Sequence, residues 1–205
     1  MITRKERPIV EASLECSEVI SDALMRGDIL AEVPFIGTAI KICKAIDAVR
    51  DRAFAMKLVR FVQNFEGITD KQKQKLREKI SEDAEQAQKV GETLLFVLER
   101  LTDLDKPILL SKLFLAYIDS VLSSEELRRL SQSVDSAFGD DLQRLLTSHE
   151  LPKKSDEPWM QYLVVSGLTR LVAGQTYGDI GKLYYEATPL AHKLRNAYFH
   201  EPESV

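Results

Sequence analysis

Apolar residues recur at helical spacing along the stretch from Ile36 to Phe65, which has no proline and no glycine after Gly37. At about 1.5 Å per residue, a single helix over this stretch would be about 45 Å long. The pattern predicts one long amphipathic helix that organises the rest of the chain. Its stripe changes face near Arg50-Asp51-Arg52, so the two halves are expected to meet different neighbours. The stripe residues are Ala39, Ile42, Ile46, Val49 and Ala53, then Phe54, Leu58, Phe61 and Phe65.

Helices are also predicted on both sides of this long stretch. A first helix covers about residues 8–25, and the bend 28–37 contains Pro34. Downstream, Thr69 with Gln72 and Ser123 with Glu126 have the spacing of capping boxes. In a capping box, the side chain of each residue accepts a hydrogen bond from the backbone N–H of the other. Ser81 is expected to open a further helix. The helices predicted downstream are one that follows the Thr69 cap to about Ile80, then about Glu82 to Leu101, Pro107 to Val121, Ser124 to Ala137 and Asp140 to Leu146.

The pattern changes after a polar segment that contains Pro152. A helix from Pro158 to Gly167 is followed by two strand-like runs, about 168–172 and 182–187, around a glycine-rich tip. Thr188-Pro189 then predicts a helix start, with a hydroxyl cap and proline in the first turn. The fold class is therefore mainly α, a multi-helix bundle on one long central helix with a small C-terminal α/β module. The expected domains are a helical domain 1–148, a linker 149–156 and a hairpin module 157–205.

This order of elements resembles the second half of bacterial winged-helix domains, whose wing often ends in a Y-x-L-T-P-L-G phrase. Alanine replaces the usual leucine at 187, and Ala191 stands where glycine is common. The resemblance implies a helix before the wing, here 158–167, which in DNA readers carries basic residues. This helix has none, so the resemblance favours a winged-helix-like module used for protein contact. The matching residues here are Tyr185, Ala187, Thr188, Pro189 and Leu190.

The chain as a whole also resembles uncharacterised bacterial helical proteins with a P-x-I-G bend before a long helix that carries an R-D-R cluster. Here the bend is Pro34, Ile36 and Gly37, and the cluster is Arg50 to Arg52. The resemblance implies a bacterial protein but no particular activity.

Composition narrows the function further. The 205 residues carry a formal net charge of −4, which disfavours a protein devoted to binding a polyanion. Cys16 and Cys43 fit reduced thiols, and the charged first residues have no secretory pattern, so we expect a cytoplasmic protein. Residues 29–46 are too interrupted by charge to span a bilayer. An amphipathic segment over 29–49 that lies on a membrane surface stays a possibility because Lys41 and Lys44 flank its apolar face.

No pattern nominates catalysis. The sequence contains no nucleophile elbow, phosphate-binding loop or zinc-protease motif. His149, His192 and His200 have no cysteine or carboxylate cluster at metal spacing. We therefore expect no enzyme activity, no cofactor, no metal site and no small-molecule substrate.

Three kinds of function remain open. The favoured one is protein–protein interaction or self-association through residues 29–61, where apolar surface precedes and begins the long helix. The second is a DNA-binding regulator that uses the C-terminal hairpin, and the third is a membrane-perturbing effector that uses residues 29–49. The candidate interface residues are Val33, Phe35, Ile36, Ile40, Arg50 and Arg52. The candidate nucleic-acid contacts are Arg170, Lys182, Lys193 and Arg195.

Overall fold

Helices make up most of the part of the chain that the structure describes. The structure is a computed structural model that describes residues 49–65, 68–174, 177–179 and 181–201. Within these ranges it contains eight α-helices and a two-stranded antiparallel sheet near the C-terminus. This confirms the mainly α fold and the small C-terminal sheet. The described residues separate into two compact units, and the division falls between Ser111 and Lys112.

The elements follow one another in a simple order along the chain. They are α1 (Val49–Gln63), α2 (Asp70–Glu82), α3 (Ala84–Arg100), α4 (Lys106–Ile118), α5 (Ser124–Ser136), α6 (Gly139–Thr147), α7 (Pro158–Tyr162), β1 (Thr169–Ala173), β2 (Leu183–Ala187) and α8 (Pro189–Tyr198).

In the first unit, α1 forms much of the core and packs against α3. The second half of the predicted apolar stripe is buried, at Phe54, Leu58, Phe61 and Phe65. The rings of Phe61 and Phe65 meet edge to face with their centres 5.1 Å apart, an arrangement that aromatic pairs favour. The described helix ends at Gln63, two residues before the predicted end, because Phe65 closes a turn onto the carbonyl of Val62. The predicted part of this helix before residue 49 lies outside the described residues.

A buried lysine of α1 holds the end of α3. The Nζ of Lys57 donates hydrogen bonds to the backbone carbonyl oxygens of Glu99 and Leu101, at 2.6 and 2.8 Å. The last carbonyls of a helix have no partners within the helix and attract cations. One turn further on, the Arg60 guanidinium donates to the carbonyl of Leu104 and to the Asp105 carboxylate, at 2.8 Å each. These two cations connect α1 to the chain that leaves α3.

Both predicted capping boxes are present. Thr69 and Gln72 exchange backbone-to-side-chain hydrogen bonds at the start of α2, and Ser123 and Glu126 do so at the start of α5. The predicted start of the next helix at Ser81 is wrong. Ser81 donates to the carbonyl of Glu78 inside α2. Asp83 instead accepts from the backbone N–H of Gln86 and begins α3, and aspartate and serine are about equally good at this position of a helix.

The helix predicted to run from Pro107 to Val121 ends earlier, at Ile118. Ser120 has a left-handed backbone with φ of 62°. Its N–H donates to the carbonyl of Tyr117, and the N–H of Val121 donates to that of Ala116. This is the hydrogen-bond pattern of a Schellman stop, in which the left-handed residue is usually glycine. No glycine marked this stop in the sequence.

The C-terminal hairpin matches the prediction closely. β1 and β2 pair antiparallel, with Leu171 opposite Tyr185. Thr188 caps α8, where it accepts from the N–H of Ala191, and Pro189 occupies the first turn. The preceding helix is shorter than the predicted 158–167. It ends at Tyr162 and continues as tight turns to Gly167, whose φ is 72°, because two consecutive valines and a glycine favour helix weakly.

The predicted linker 149–156 makes specific backbone contacts with the hairpin. Ser155 and Tyr185 exchange both backbone hydrogen bonds, at 2.9 and 2.7 Å, and the N–H of Ala187 donates to the carbonyl of Pro152 at 2.8 Å. This segment therefore lies along one edge of β2, while β1 lies along the other. The sequence did not predict this pairing, because a single bridge needs no alternation of apolar and polar residues and the segment is polar.

Candidate interaction surface on the hairpin

One face of the hairpin changes from buried to exposed along its length. Alternate residues of paired strands share a face, so the register places Thr169, Leu171 and Ala173 beside Ala187, Tyr185 and Leu183. Thr169 and Tyr185 are buried, at 2% and 9% exposure, whereas Leu171 and Leu183 are 52% and 58% exposed. We call Leu171, Ala173 and Leu183 the apolar patch. It is the end of the hairpin face that lies nearer to the tip.

The opposite face carries charges that compensate each other. Arg170 and Glu186 are directly opposite in the register and form an ion pair. Cross-strand pairs of opposite charge stabilise a sheet modestly. Val172 and Tyr184 are the next pair on this face. The first face therefore carries the exposed apolar patch, and the second carries the Arg170–Glu186 ion pair beside Val172 and Tyr184.

The tip of the hairpin is held by one carboxylate. Asp179 accepts from the Nζ of Lys154 and from the hydroxyl of Tyr184, each at 2.7 Å. The same ammonium lies 4.1 Å from the centre of the Tyr184 ring, within the range of a cation–π contact. The hydrogen bond to Asp179, reinforced by burial and by the charges of Asp179 and Asp156, raises the pKa of Tyr184 above its ordinary value of 10.0.

Two further residues define the tip. Gly174 lies so close to Asp179 that a Cβ there would come within 2.5 Å of the backbone oxygen of Asp179. Glycine alone fits such an approach. Tyr177 lies on the short turn that ends at Asp179, and its side chain is 95% exposed. The tip thus combines a well-contacted backbone with a fully exposed aromatic ring.

The four candidate nucleic-acid contacts fall on two elements. Arg170 and Lys182 belong to the hairpin, and Lys193 and Arg195 belong to α8. Arg170 is paired with Glu186 and Lys193 with Glu126. The Arg195 guanidinium donates to the carbonyl of His149 at 3.1 Å, and Lys182 is exposed just before β2. Three of the four cations therefore already contact an acceptor in the same unit.

The candidate interface at the start of the long helix falls mostly outside the described residues. Val33, Phe35, Ile36 and Ile40 are not described, and Arg50 and Arg52 are described only as backbone positions of α1. That interface and the membrane-lying segment 29–49 stay predictions. Among the helices that the structure describes, none has the length and apolar character needed to cross a bilayer.

The sequence pattern placed these leucines in two strand-like runs, about 168–172 and 182–187, but did not indicate which face of the hairpin is exposed. A usable signal was present. β1 reads T-R-L-V-A and β2 reads L-Y-Y-E-A, so apolar residues occupy both faces of a hairpin too small to cover both.

No metal centre is found in the described ranges, where no three His, Cys, Asp or Glu side chains come together. The Nε2 of His200 lies 3.1 Å from a carboxylate oxygen of Asp119, but this pair has no third ligand there. No protein-family model, curated protein or solved structure matches the chain.

Proposed function

We propose that this chain is a non-enzymatic, bacterial cytosolic binding protein that contacts another protein chain through its C-terminal hairpin, a winged-helix-like module adapted to protein contact. The observation that carries the proposal is the exposure of Leu171 and Leu183 on one hairpin face. Exposed large apolar residues that lie next to one another usually mark an interaction site. Tyr177 adds an aromatic residue of the kind that dominates binding energy at protein interfaces.

The contacts at the tip support the same proposal. Binding costs less free energy when the contact residues are already ordered in the free protein. The hydrogen bonds from Lys154 and Tyr184 to Asp179 tie the described turn 177–179 to β2 and to the segment before the hairpin. The patch is therefore presented by a backbone that needs little rearrangement.

The charges favour a protein partner over DNA. Binding to a phosphate backbone is driven by lysine and arginine side chains that neutralise phosphates. Arg170 and Lys193 already face carboxylates, and binding DNA would require breaking those pairs. The DNA-binding alternative has correspondingly less support.

Site-specific photo-cross-linking tests the proposal. A photoreactive amino acid replaces Leu183 in the full chain, produced in the cells from which the protein comes. The matched control places it at Asn196, which is also exposed but lies on α8. We expect a discrete cross-linked protein product from position 183, lost when Leu171 is changed to Asp, and none from position 196. Equal products from both positions, or none from 183, would contradict the proposal.

A further inference from the structure

The outer edge of β1 has a defined set of free backbone groups. Because Ser155 and Tyr185 exchange both hydrogen bonds, the N–H and C=O of Tyr185 point away from β1. Backbone groups alternate sides along an antiparallel strand. The backbone N–H and C=O groups of Tyr184 and Glu186 therefore point toward β1. There they pair with the backbone groups of Val172 and Arg170.

It follows that the residues of β1 between those bonded pairs point their backbone groups outward. Leu171 stands opposite Tyr185, so its N–H and C=O face away from β2. Within the described ranges, no strand pairs with this edge of β1. An exposed edge with a free donor and acceptor is a template for another strand.

We infer that the edge of β1 binds a second copy of this chain, antiparallel and about a twofold axis at Leu171. The two hairpins then form one continuous sheet, and the two Leu171 residues exchange their outward hydrogen bonds. This inference rests on the proposed function and adds that a second copy binds the β1 edge, beside the protein that position 183 contacts.

The sequence of β1 is self-complementary in this register. Leu171 is the middle residue of the five-residue strand, so the twofold axis leaves no residue overhanging. Arg170, the sole charged residue of β1, falls opposite Val172 of the other copy and not opposite another arginine. Like charges directly opposite would destabilise the pairing, and this register avoids them.

The side chains support the same occupant. The paired leucines would contact each other across the new strand pair and bury part of the apolar patch. Arg170 keeps its own partner, Glu186, because that pair lies on the other face. An unrelated extended segment would need its own apolar residue at the same position, whereas a second copy supplies it by symmetry.

Disulfide trapping tests the inference in the full chain. In the proposed dimer the two Leu171 Cα atoms form a hydrogen-bonded pair, about 5.5 Å apart, which suits a disulfide. Leu171→Cys should therefore form a covalent dimer of twice the 23.2 kDa chain mass on mild oxidation. Leu183→Cys is the matched control. It has similar exposure, but three strand spacings, about 14 Å, and an offset of four residues along the strands, about 13 Å, would separate its two copies. Wild type under the same oxidation controls for Cys16 and Cys43.

A proline substitution gives a second test that needs no new thiol. The outward N–H of Leu171 bonds nothing within the hairpin, so Leu171→Pro should keep the native circular dichroism. Light scattering should show loss of the dimer for Leu171→Pro and its retention for Leu171→Thr.

Three results would overturn the inference. The first is a covalent dimer of the Leu183→Cys variant, which would indicate contact between faces. The second is the absence of a mapped disulfide between the two copies of position 171 in the Leu171→Cys variant. The third is a dimer that survives Leu171→Pro. If these failures occur while position 183 still cross-links a different protein, the inference is wrong and the proposed function stands.

Discussion

The Nζ of Lys154 lies 2.7 Å from a carboxylate oxygen of Asp179. This contact joins the segment before the hairpin module to the hairpin tip, 25 residues further along the chain. The side chain of Asp179 is 14% exposed, so solvent weakens the pair less than it would at an open surface. The ion pair therefore helps to fix the tip that the proposed function requires.

The titration of Tyr184 reports directly on this cluster. Asp179→Asn removes the charge and the strong acceptor that raise the pKa of Tyr184. We therefore expect that pKa to fall toward 10.0, the ordinary value. Ultraviolet absorbance of tyrosinate along an alkaline titration measures it, and Tyr184→Phe identifies the Tyr184 phase. Asp156→Asn should move this phase less, because Asp156 acts through its charge alone.

The same shift predicts how stability depends on pH. Because the folded pKa of Tyr184 is raised above the unfolded value, its contribution to stability is fully present below about pH 10. It is lost as the pH rises through the raised folded pKa. The difference in unfolding free energy between wild type and Tyr184→Phe should therefore shrink only in that alkaline range. A difference that shrinks near pH 7 would contradict the assignment.

Lys57 is expected to contribute more to stability than its neighbour on α1, Arg60. Lys57→Met keeps the aliphatic stem but leaves the carbonyls of Glu99 and Leu101 without these hydrogen bonds in a buried place. We expect a loss of about 2 kcal/mol in the free energy of unfolding. The control Arg60→Met removes more exposed contacts and should cost less than about 1 kcal/mol. Urea denaturation measures the free energy of unfolding of both variants. Equal losses would contradict the prediction that the more buried lysine contributes more.

Ser120 offers a stabilising substitution. A left-handed backbone costs a residue with a Cβ about 1–2 kcal/mol, and glycine avoids that cost. Glycine loses more conformational entropy on folding, which offsets part of the gain, so Ser120→Gly should raise the unfolding free energy by about 0.5–1 kcal/mol. Ser120→Ala keeps the Cβ and should give no gain. Thermal denaturation of the two variants checks the sign.

Two glycines of the hairpin tip provide a matched pair. A Cβ at Gly174 would collide with backbone atoms of Asp179, whereas a Cβ at Gly178 would meet nothing within 4 Å. Gly174→Ala should therefore displace the tip at a cost of about 1–3 kcal/mol and reduce cross-linking from position 183. Gly178→Ala should leave both unchanged. If Gly174→Ala behaved like Gly178→Ala, the tip would not depend on this close approach.

Local signals in the sequence predicted much of the fold. Thr69 with Gln72, Ser123 with Glu126, and Thr188 with Pro189 placed three helix starts correctly, because a cap needs only residues a few positions apart. The errors fell where two caps of similar strength competed and where a residue other than glycine took the left-handed backbone that ends a helix. Asp83 replaced Ser81 as a cap, and a non-glycine residue, Ser120, ended α4.

The candidate site was harder to predict than the fold. Whether Leu171 is core or surface depends on how much of a two-stranded sheet its unit can cover, and periodicity does not carry that information. The bridge from Ser155 to Tyr185 is equally non-local. It decides which edge of the sheet is free, and no pattern within residues 149–156 indicated it.

Amide exchange at Leu171 tests the central claim most directly. In the described structure its N–H points away from β2, whereas the neighbouring N–H of Val172 faces Tyr184 in the strand pair. Exchange measured by NMR over a series of protein concentrations compares the two amides in one molecule. If β1 pairs with a second copy, the Leu171 amide becomes protected as concentration rises, while the Val172 amide is protected throughout. Fast exchange of the Leu171 amide at every concentration, with that of Val172 slow, would contradict the claim.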